Sequence, residues 1–170
     1  SSPLPNVRMM LLKDGASKTG QPPFFLIADG TGSIGSYIHL PPHIKSGIRI
    51  YGVDSPYLRC PTRLTVDVGI PGAAKLIVEA LLKKQPTGLP FWIGGFSGGA
   101  MISYEVCRQL SAAGHTVDGL LLVDMCSPRT KNVHAKSDLG LAMFEAISRQ
   151  DESGVWSMSD KTIRHLQALF

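Results

Sequence analysis

The sequence predicts an α/β fold, with a mostly parallel sheet flanked by helices. Four of its five strand-like runs are short and almost entirely apolar, which is typical of parallel strands covered on both faces. Amphipathic helical patterns separate the later runs, and strands that alternate with helices indicate an α/β layered fold. The chain has 170 residues, 44% of them hydrophobic, so one domain can bury a substantial core.

The individual elements follow from runs of apolar residues and from their spacing. We predict strands at five runs, which in chain order are residues 8–12, 24–28, 48–53, 91–96 and 119–124. A first helix is predicted over 72–85, because its apolar residues recur on one face and lysines stand at its C-terminal end. A second helix is predicted over 98–114 and ends at Gly114, a residue type favoured just after a helix.

The two ends of the chain suggest a domain taken from something longer. The start, "SSPLPN", lacks an initiator methionine and is interpreted as a cut end. After residue 128 only helical patterns follow, and the chain stops inside one of them. We therefore divide it into a core at 1–130, whose C-terminal part is missing, and a helical segment at 131–170.

Charge and cysteine content exclude several classes of function. The net charge of +4 is small and spread along the chain, whereas nucleic-acid binders concentrate their basic residues. No apolar run is long enough for a membrane span, and no signal peptide is visible. Cys60, Cys107 and Cys126 are too widely spaced for a metal site or a disulfide framework, which indicates a reducing, cytoplasmic compartment and a packing role for Cys107 and Cys126.

A glycine-rich stretch, "ADGTGSIGSY" at 28–37, has the G-x-G-x-x-G spacing of a dinucleotide-binding loop. Asp54, at the end of the next strand, would match the acidic residue of that motif. A dinucleotide fold needs a full-length helix after the glycines, but Pro41 and Pro42 end any helix within about two turns. The stretch is then either a turn without a function or a loop that binds another anion.

A second glycine-rich stretch, "GGFSGG", contains G-x-S-x-G centred on Ser97, between the fourth strand and the second helix. In this position the pattern is typical of the nucleophile turn of an α/β-hydrolase fold. Gly95 and Gly99 would let the strand and helix backbones pass close together, so that Ser97 is held on a strained turn with its hydroxyl exposed. The alternative is a glycine-rich turn in which the serine is incidental.

A serine nucleophile needs a base and an orienting acid, which in this fold follow in the order Ser, acid, His. Asp124 closes the last predicted strand, one strand–helix unit after Ser97, and is the candidate acid; alternatively it only caps a turn.

None of the five histidines fits the place of the base. Three of them precede Asp124, against the chain order: His39, His43 and His115. His134 follows in a polar loop and His165 in a helical pattern, and both are more typical of solvent-facing residues. We therefore expect the catalytic histidine beyond residue 170.

The glycine-rich loop at 28–37 acquires a role beside this serine. The tetrahedral intermediate of acyl transfer is stabilised by the N–H after the nucleophile and by an N–H from the loop after an earlier strand. The first donor would be Gly98, and the second would be Gly30 or Thr31. Gly32 and Gly35 then only form the turn.

Four stretches together resemble the C-terminal thioesterase domains of fungal iterative polyketide synthases. In chain order they are "PFFLIADGTGSIGSY", "RIYGVDSPY", "PFWIGGFSGGAMISYEVCRQL" and "VDGLLLVDMCSP", and the resemblance runs from about residue 22 to 130. It implies an α/β-hydrolase fold with a helical lid, of which 131–170 would be the first part. It also implies that Ser97 is the nucleophile, Asp124 the acid, and Gly98 with Gly30–Thr31 the oxyanion donors.

The resemblance further implies a substrate and a partner. The domain would bind no cofactor of its own and would take a polyketide acyl chain from the phosphopantetheine thioester of the acyl carrier protein domain of the same synthase. Water, an internal hydroxyl, an alcohol or an enol carbon would then release the chain from Ser97. Three alternatives remain: a free-standing type II thioesterase or serine esterase, a non-catalytic hydrolase-like binding module, and a nucleotide-binding domain.

Overall fold

The computed structural model describes residues 3–15, 21–85 and 87–125. Five strands form one sheet, and in chain order they are β1 (Met9–Lys13), β2 (Phe24–Ile27), β3 (Ile50–Val53), β4 (Phe91–Phe96) and β5 (Val117–Val123). Their order across the sheet is β1-β3-β2-β4-β5. β1 is antiparallel to β3, whereas all the other neighbours are parallel. The predicted α/β fold with a mostly parallel sheet is therefore confirmed.

Two helices follow the third and fourth strands: α1 (Gly69–Lys84) and α2 (Gly98–Ala112). α1 begins three residues earlier than predicted. α2 ends at Ala112, and Gly114 adopts φ +84° just beyond it, as the helix-ending role of this glycine requires. The predicted strand 91–96 is observed with its predicted bounds, and the ends of the other strands differ from the prediction by at most two residues.

The main core lies between α1, α2 and one face of the sheet. Its fully buried members include Phe25, Ile27, Val53, Ile77 and Ile93. Cys107 belongs to this core, as predicted, and burial raises the pKa of its thiol to about 12. Cys126 lies outside the described residues.

Within the described residues, the opposite face of the sheet is covered by a loop with short helices. In the described part of the chain, both long helices pack on the first face. The second face carries a smaller cluster in which Leu26 and Ile50 pack against Ile34 and Tyr37. These last two residues lie in a short 3-10 helix, Ile34–Tyr37, and a second such helix follows at Pro41–His43. The proline pair thus prevents a full-length helix here, as predicted.

The parallel strands bring four polar residues to one edge of the sheet. The carboxyl ends of parallel strands meet at the same edge, which is where α/β folds place their functional groups. Asp29, Asp54, Ser97 and Asp124 follow the ends of β2, β3, β4 and β5, respectively. None of the described helices is long and apolar enough to cross a membrane.

Candidate active site

Ser97 occupies the turn between β4 and α2. Its backbone has φ 54° and ψ −121°, a conformation that costs a non-glycine residue free energy and persists only where the surroundings enforce it. The N–H of Ser97 donates to the carbonyl of Val123 at 2.9 Å, and its carbonyl accepts from the N–H of Ala100 at 3.0 Å. The strained strand-to-helix turn predicted from the G-x-S-x-G pattern is therefore confirmed.

The glycines on either side of Ser97 are required by backbone packing. A Cβ atom on Gly99 would lie 2.5 Å from the carbonyl oxygen of Ala28 and 2.6 Å from that of Ile27. A Cβ on Gly95 would lie 2.5 Å from the carbonyl carbon of Gly99. The first turn of α2 can approach β2 and β4 this closely only because both positions lack a side chain.

The loop after β2 lies directly against the start of α2. A Cβ on Gly98 would lie 3.0 Å from the Cα of Gly30 and 3.1 Å from its backbone nitrogen. Because Gly98 is the first residue of α2, its N–H has no partner within the helix. The structure thus brings Gly98, the predicted first oxyanion donor, next to Gly30, one of the two predicted second donors.

A buried carboxylate, Asp29, organises this loop and was missed by the sequence-based predictions. Its Oδ1 accepts the N–H of Thr31 at 2.9 Å and the hydroxyl of Thr31 at 2.6 Å, while its Oδ2 accepts the hydroxyl of Ser36. Asp29 is only 7% exposed. The N–H of Thr31, one of the two predicted second donors, is therefore already engaged inside the loop.

Asp54 has a structural role that its position in the sequence does not indicate. Its Oδ1 accepts the N–H of Ile34 at 2.9 Å, in a buried hydrogen bond between residues 20 apart in sequence. This bond holds the beginning of the short helix Ile34–Tyr37. The glycines are followed by a short helix rather than a full-length one, and the carboxylate of Asp54 is hydrogen-bonded to the loop backbone. The loop therefore lacks the architecture of a dinucleotide site.

Tyr37, also missed by the sequence-based predictions, joins this loop to the Ser97 turn. Its hydroxyl donates to the carbonyl of Ile27 at 2.8 Å and accepts the N–H of Phe96 at 3.0 Å. Burial raises the pKa of Tyr37 to about 12; the bond from Phe96 lowers this pKa, and the nearby charge of Asp29 raises it. The phenol therefore stays protonated throughout the neutral pH range.

Asp124 directly follows β5, beside the Ser97 turn. The last paired residues of the two strands are Phe96 and Val123, so Ser97 and Asp124 leave the sheet next to each other. Asp124 is exposed and has φ 55°. The structure therefore places the two predicted catalytic side chains at adjacent strand ends.

The base is not found beside them among the described residues. His115 packs edge-on against the ring of Phe91 at the start of β4, the end of the sheet opposite Ser97. Within that part of the chain, no histidine is hydrogen-bonded to Ser97 or Asp124, and no three potential ligands cluster to hold a metal. His134 and His165 lie outside the described residues.

A mostly parallel sheet whose fourth strand ends in a strained serine turn is typical of the α/β-hydrolase fold. Within that class, the family model for the Thioesterase domain matches residues 22–163, and the chain belongs to this family.

More specifically, the chain is homologous to a segment of fungal non-reducing polyketide synthases. The synthase of Metacordyceps chlamydosporia is 64% identical over 175 residues, which cover 99% of this chain and 8% of that protein. The synthase of Floropilus chiversii is 68% identical over 152 residues, which cover 88% of this chain and 7% of that protein. The synthase of Gibberella zeae is 60% identical over 169 residues, which cover 99% of this chain and 8% of that protein. The chain thus spans less than a tenth of the length of these relatives.

Solved structures of thioesterases share the fold. The NocB thioesterase domain, in covalent complex with a fluorophosphonate nocardicin G analog, matches with a TM-score of 0.66 and 24% identity over 96% of this chain and 66% of that one. YbtT, a type II thioesterase of the yersiniabactin pathway, matches with a TM-score of 0.67 and 18% identity over 95% of this chain and 67% of that one. The predicted α/β-hydrolase fold and the resemblance to polyketide-synthase thioesterase domains are both confirmed.

Proposed function

We propose that this chain acts as the chain-releasing thioesterase of a polyketide synthase and that Ser97 is its nucleophile. The observation that carries the proposal is the position of Ser97, on a strained turn with the Gly30 backbone packed against the residue that follows it. Membership of the Thioesterase family and high identity to a segment of polyketide synthases supply the class of substrate.

In the first step, the Ser97 hydroxyl oxygen attacks the carbonyl carbon of a phosphopantetheine-linked acyl thioester and loses its proton to a base. The resulting oxyanion is stabilised by the N–H of Gly98 and by a second N–H from the loop after β2. The second donor would be Gly30 or Thr31; the N–H of Thr31 bonds to Asp29 at 2.9 Å in this arrangement. The C–S bond then breaks, and the carrier thiol leaves with the proton that the base returns.

The second step releases the acyl chain from Ser97. Attack by water gives an acid, attack by an internal hydroxyl a lactone, attack by an alcohol an ester, and attack by an enol carbon a cyclised ketone. The segment 131–170, proposed as the first part of a lid, lies outside the described residues.

Asp124 is proposed to orient the histidine that serves as the base, because it leaves the sheet beside Ser97. That histidine is proposed to lie beyond residue 170, because three of the five histidines precede Asp124, against the chain order Ser, acid, His, and the sequence around His134 and His165 is a polar loop and a helical pattern.

The partner that fits this chemistry is an acyl carrier protein domain within the same synthase. The carrier would bring the phosphopantetheine arm and the polyketide chain as substrate, so the thioesterase itself would need no bound cofactor. A net charge of +4 suits a mildly acidic carrier surface.

Labelling with a fluorophosphonate tests the proposal in the full-length protein. We expect an adduct on Ser97 in the wild type, no adduct and no acyl transfer in Ser97→Ala, and normal behaviour in Ser111→Ala. The last variant is a matched control, since Ser111 is an exposed serine near the end of the same helix. Near-normal turnover in Ser97→Ala would refute the nucleophile, and an unlabelled wild type would favour the non-catalytic binding module.

A further inference from the structure

We propose that the hydroxyl of Tyr37 is a positioning group that holds the Ser97 turn against the loop carrying Gly30. This inference rests on the proposed function, since it concerns how the nucleophile and the oxyanion donors are set relative to each other. The Tyr37 hydroxyl is hydrogen-bonded to Phe96 and Ile27, so its effect would pass through these two residues.

The hydroxyl lies where the pairing between β2 and β4 stops. The last paired residues of these strands are Ile27 and Gly95, which leaves Phe96 one residue beyond the ladder. Tyr37 supplies the hydrogen-bond partner that β2 does not give to Phe96. Its hydroxyl accepts the N–H of Phe96 at 3.0 Å and donates to the carbonyl of Ile27 at 2.8 Å. A side chain 59 residues away in sequence thus extends the connection between the two strands by one residue.

This bond matters because the next residue is strained. The positive φ of Ser97 persists only if the neighbouring backbone is fixed on both sides. The N–H of Ser97 is held by Val123 on the β5 side, and the N–H of Phe96 is held by Tyr37 on the β2 side. Without the hydroxyl, the part-buried N–H of Phe96 would lose its partner, and the residue before Ser97 would lose its hydrogen-bonded link to β2.

Tyr37 also belongs to the segment after β2 that is proposed to supply the second oxyanion donor. Tyr37 ends the short helix that Asp54 anchors at Ile34, and its neighbour Ser36 is bonded to Asp29. The loop containing Gly30 and the turn containing Ser97 are therefore joined through one phenol. We infer that this phenol sets the separation between the nucleophile and the second oxyanion donor.

The test is Tyr37→Phe in the full-length protein, which removes only the hydroxyl and keeps the buried ring. The substrate is an octanoyl N-acetylcysteamine thioester, a small mimic of the phosphopantetheine arm. A misplacement of about 1 Å can cost roughly 10²-fold in rate, so partial release of the turn should lower kcat about tenfold. KM should stay within about twofold of the wild-type value, because the hydroxyl does not line the substrate path in this proposal.

Tyr51→Phe is the matched control, because Tyr51 lies on the α1 side of the sheet, where its ring stacks on Phe25. It should leave kcat unchanged. Replacement of Tyr37 by 3-fluorotyrosine, which restores the hydroxyl, should return kcat to within about twofold of wild type. Fluorophosphonate labelling of Ser97 should slow in Tyr37→Phe in parallel with kcat.

Assays are run below the melting temperatures of all variants, which are measured alongside. A lowered melting temperature with unchanged kcat, a change in KM alone, or a failure of Tyr37→Phe to fold would each overturn the positioning role. If the wild type labels at Ser97 and Tyr37→Phe labels equally fast, this inference fails while the proposed function stands. If the wild type does not label at Ser97, both fail.

Discussion

Replacing Gly99 by alanine would force the first turn of α2 away from β2. The added Cβ would meet the carbonyl oxygens of Ala28 at 2.5 Å and Ile27 at 2.6 Å, and both are backbone atoms that cannot rotate aside. An ordinary C···O contact needs about 3.3 Å, so the helix start would have to move by roughly 0.8 Å. The residues that move with it include Ser97 and Gly98.

The expected losses follow from that displacement. Overpacking of this kind costs about 1–3 kcal/mol of stability. In a domain of 150–250 residues each kcal/mol lowers the melting temperature by about 2–4 °C, so Gly99→Ala should melt roughly 6 °C lower. A shift of nearly 1 Å between the nucleophile and Gly30 should also reduce kcat by about 10²-fold.

Scanning calorimetry of the thioesterase domain and thioester hydrolysis measure the two effects. Gly47→Ala is the matched control, because a Cβ at Gly47 meets nothing within 4 Å and its φ is not positive. That variant should stay within about 0.5 kcal/mol of the wild type. If Gly99→Ala matches Gly47→Ala in both melting temperature and kcat, the close backbone contact behind Ser97 does not exist as described.

Four further predictions address other parts of the molecule. Asp124→Asn should preserve the fold and lower the turnover of thioester roughly 10⁴-fold, by analogy with another triad; an unchanged rate would indicate a different acid. Asp54→Ala should lower the free energy of unfolding in urea by about 1–3 kcal/mol, because it leaves the buried N–H of Ile34 unpaired. Asp54→Asn, which keeps an acceptor oxygen, should lose less, and equal losses would argue against this hydrogen bond. Because the pKa of Tyr37 rises from 10.0 to about 12 on folding, the folded state holds this proton more tightly, and the free energy of unfolding should fall as the pH rises from 10.0 to about 12. Urea titrations over this range should show a shallower fall for Tyr37→Phe, and an identical slope would contradict the assignment. Because burial raises the pKa of Cys107 to about 12, iodoacetamide at pH 8 should modify this thiol only in urea, as peptide mass spectrometry would show; fast modification of the native protein would contradict its burial.

The sequence predicted the parts of this protein that depend on short stretches of chain. The pattern predicts β4 with its observed bounds because six apolar or small residues stand between Pro90 and Ser97. The strain at Ser97 follows from that same local pattern. The absence of a helix after the glycine-rich loop follows from Pro41 and Pro42.

The bounds of other elements depended on neighbours in space. The run 48–53 predicts a strand that begins at Ile48, but residue pairing with β2 begins at Ile50. α1 starts at Gly69, ahead of its predicted first residue, since Val68 and Gly69 already form a turn with Thr65. Such bounds are decided by hydrogen bonds that the spacing of apolar residues does not encode.

By itself, the sequence determined the α/β class, the serine turn and the glycines that permit it, because these rest on periodicity and on the steric limits of single residues. Only the tertiary structure decided how the turn is held. Asp29 was hidden among turn-forming residues, and Tyr37 reaches Phe96 across 59 positions of sequence. A hydrogen bond over that distance exists only once β2 and β4 lie side by side, so no local pattern of residues can carry it.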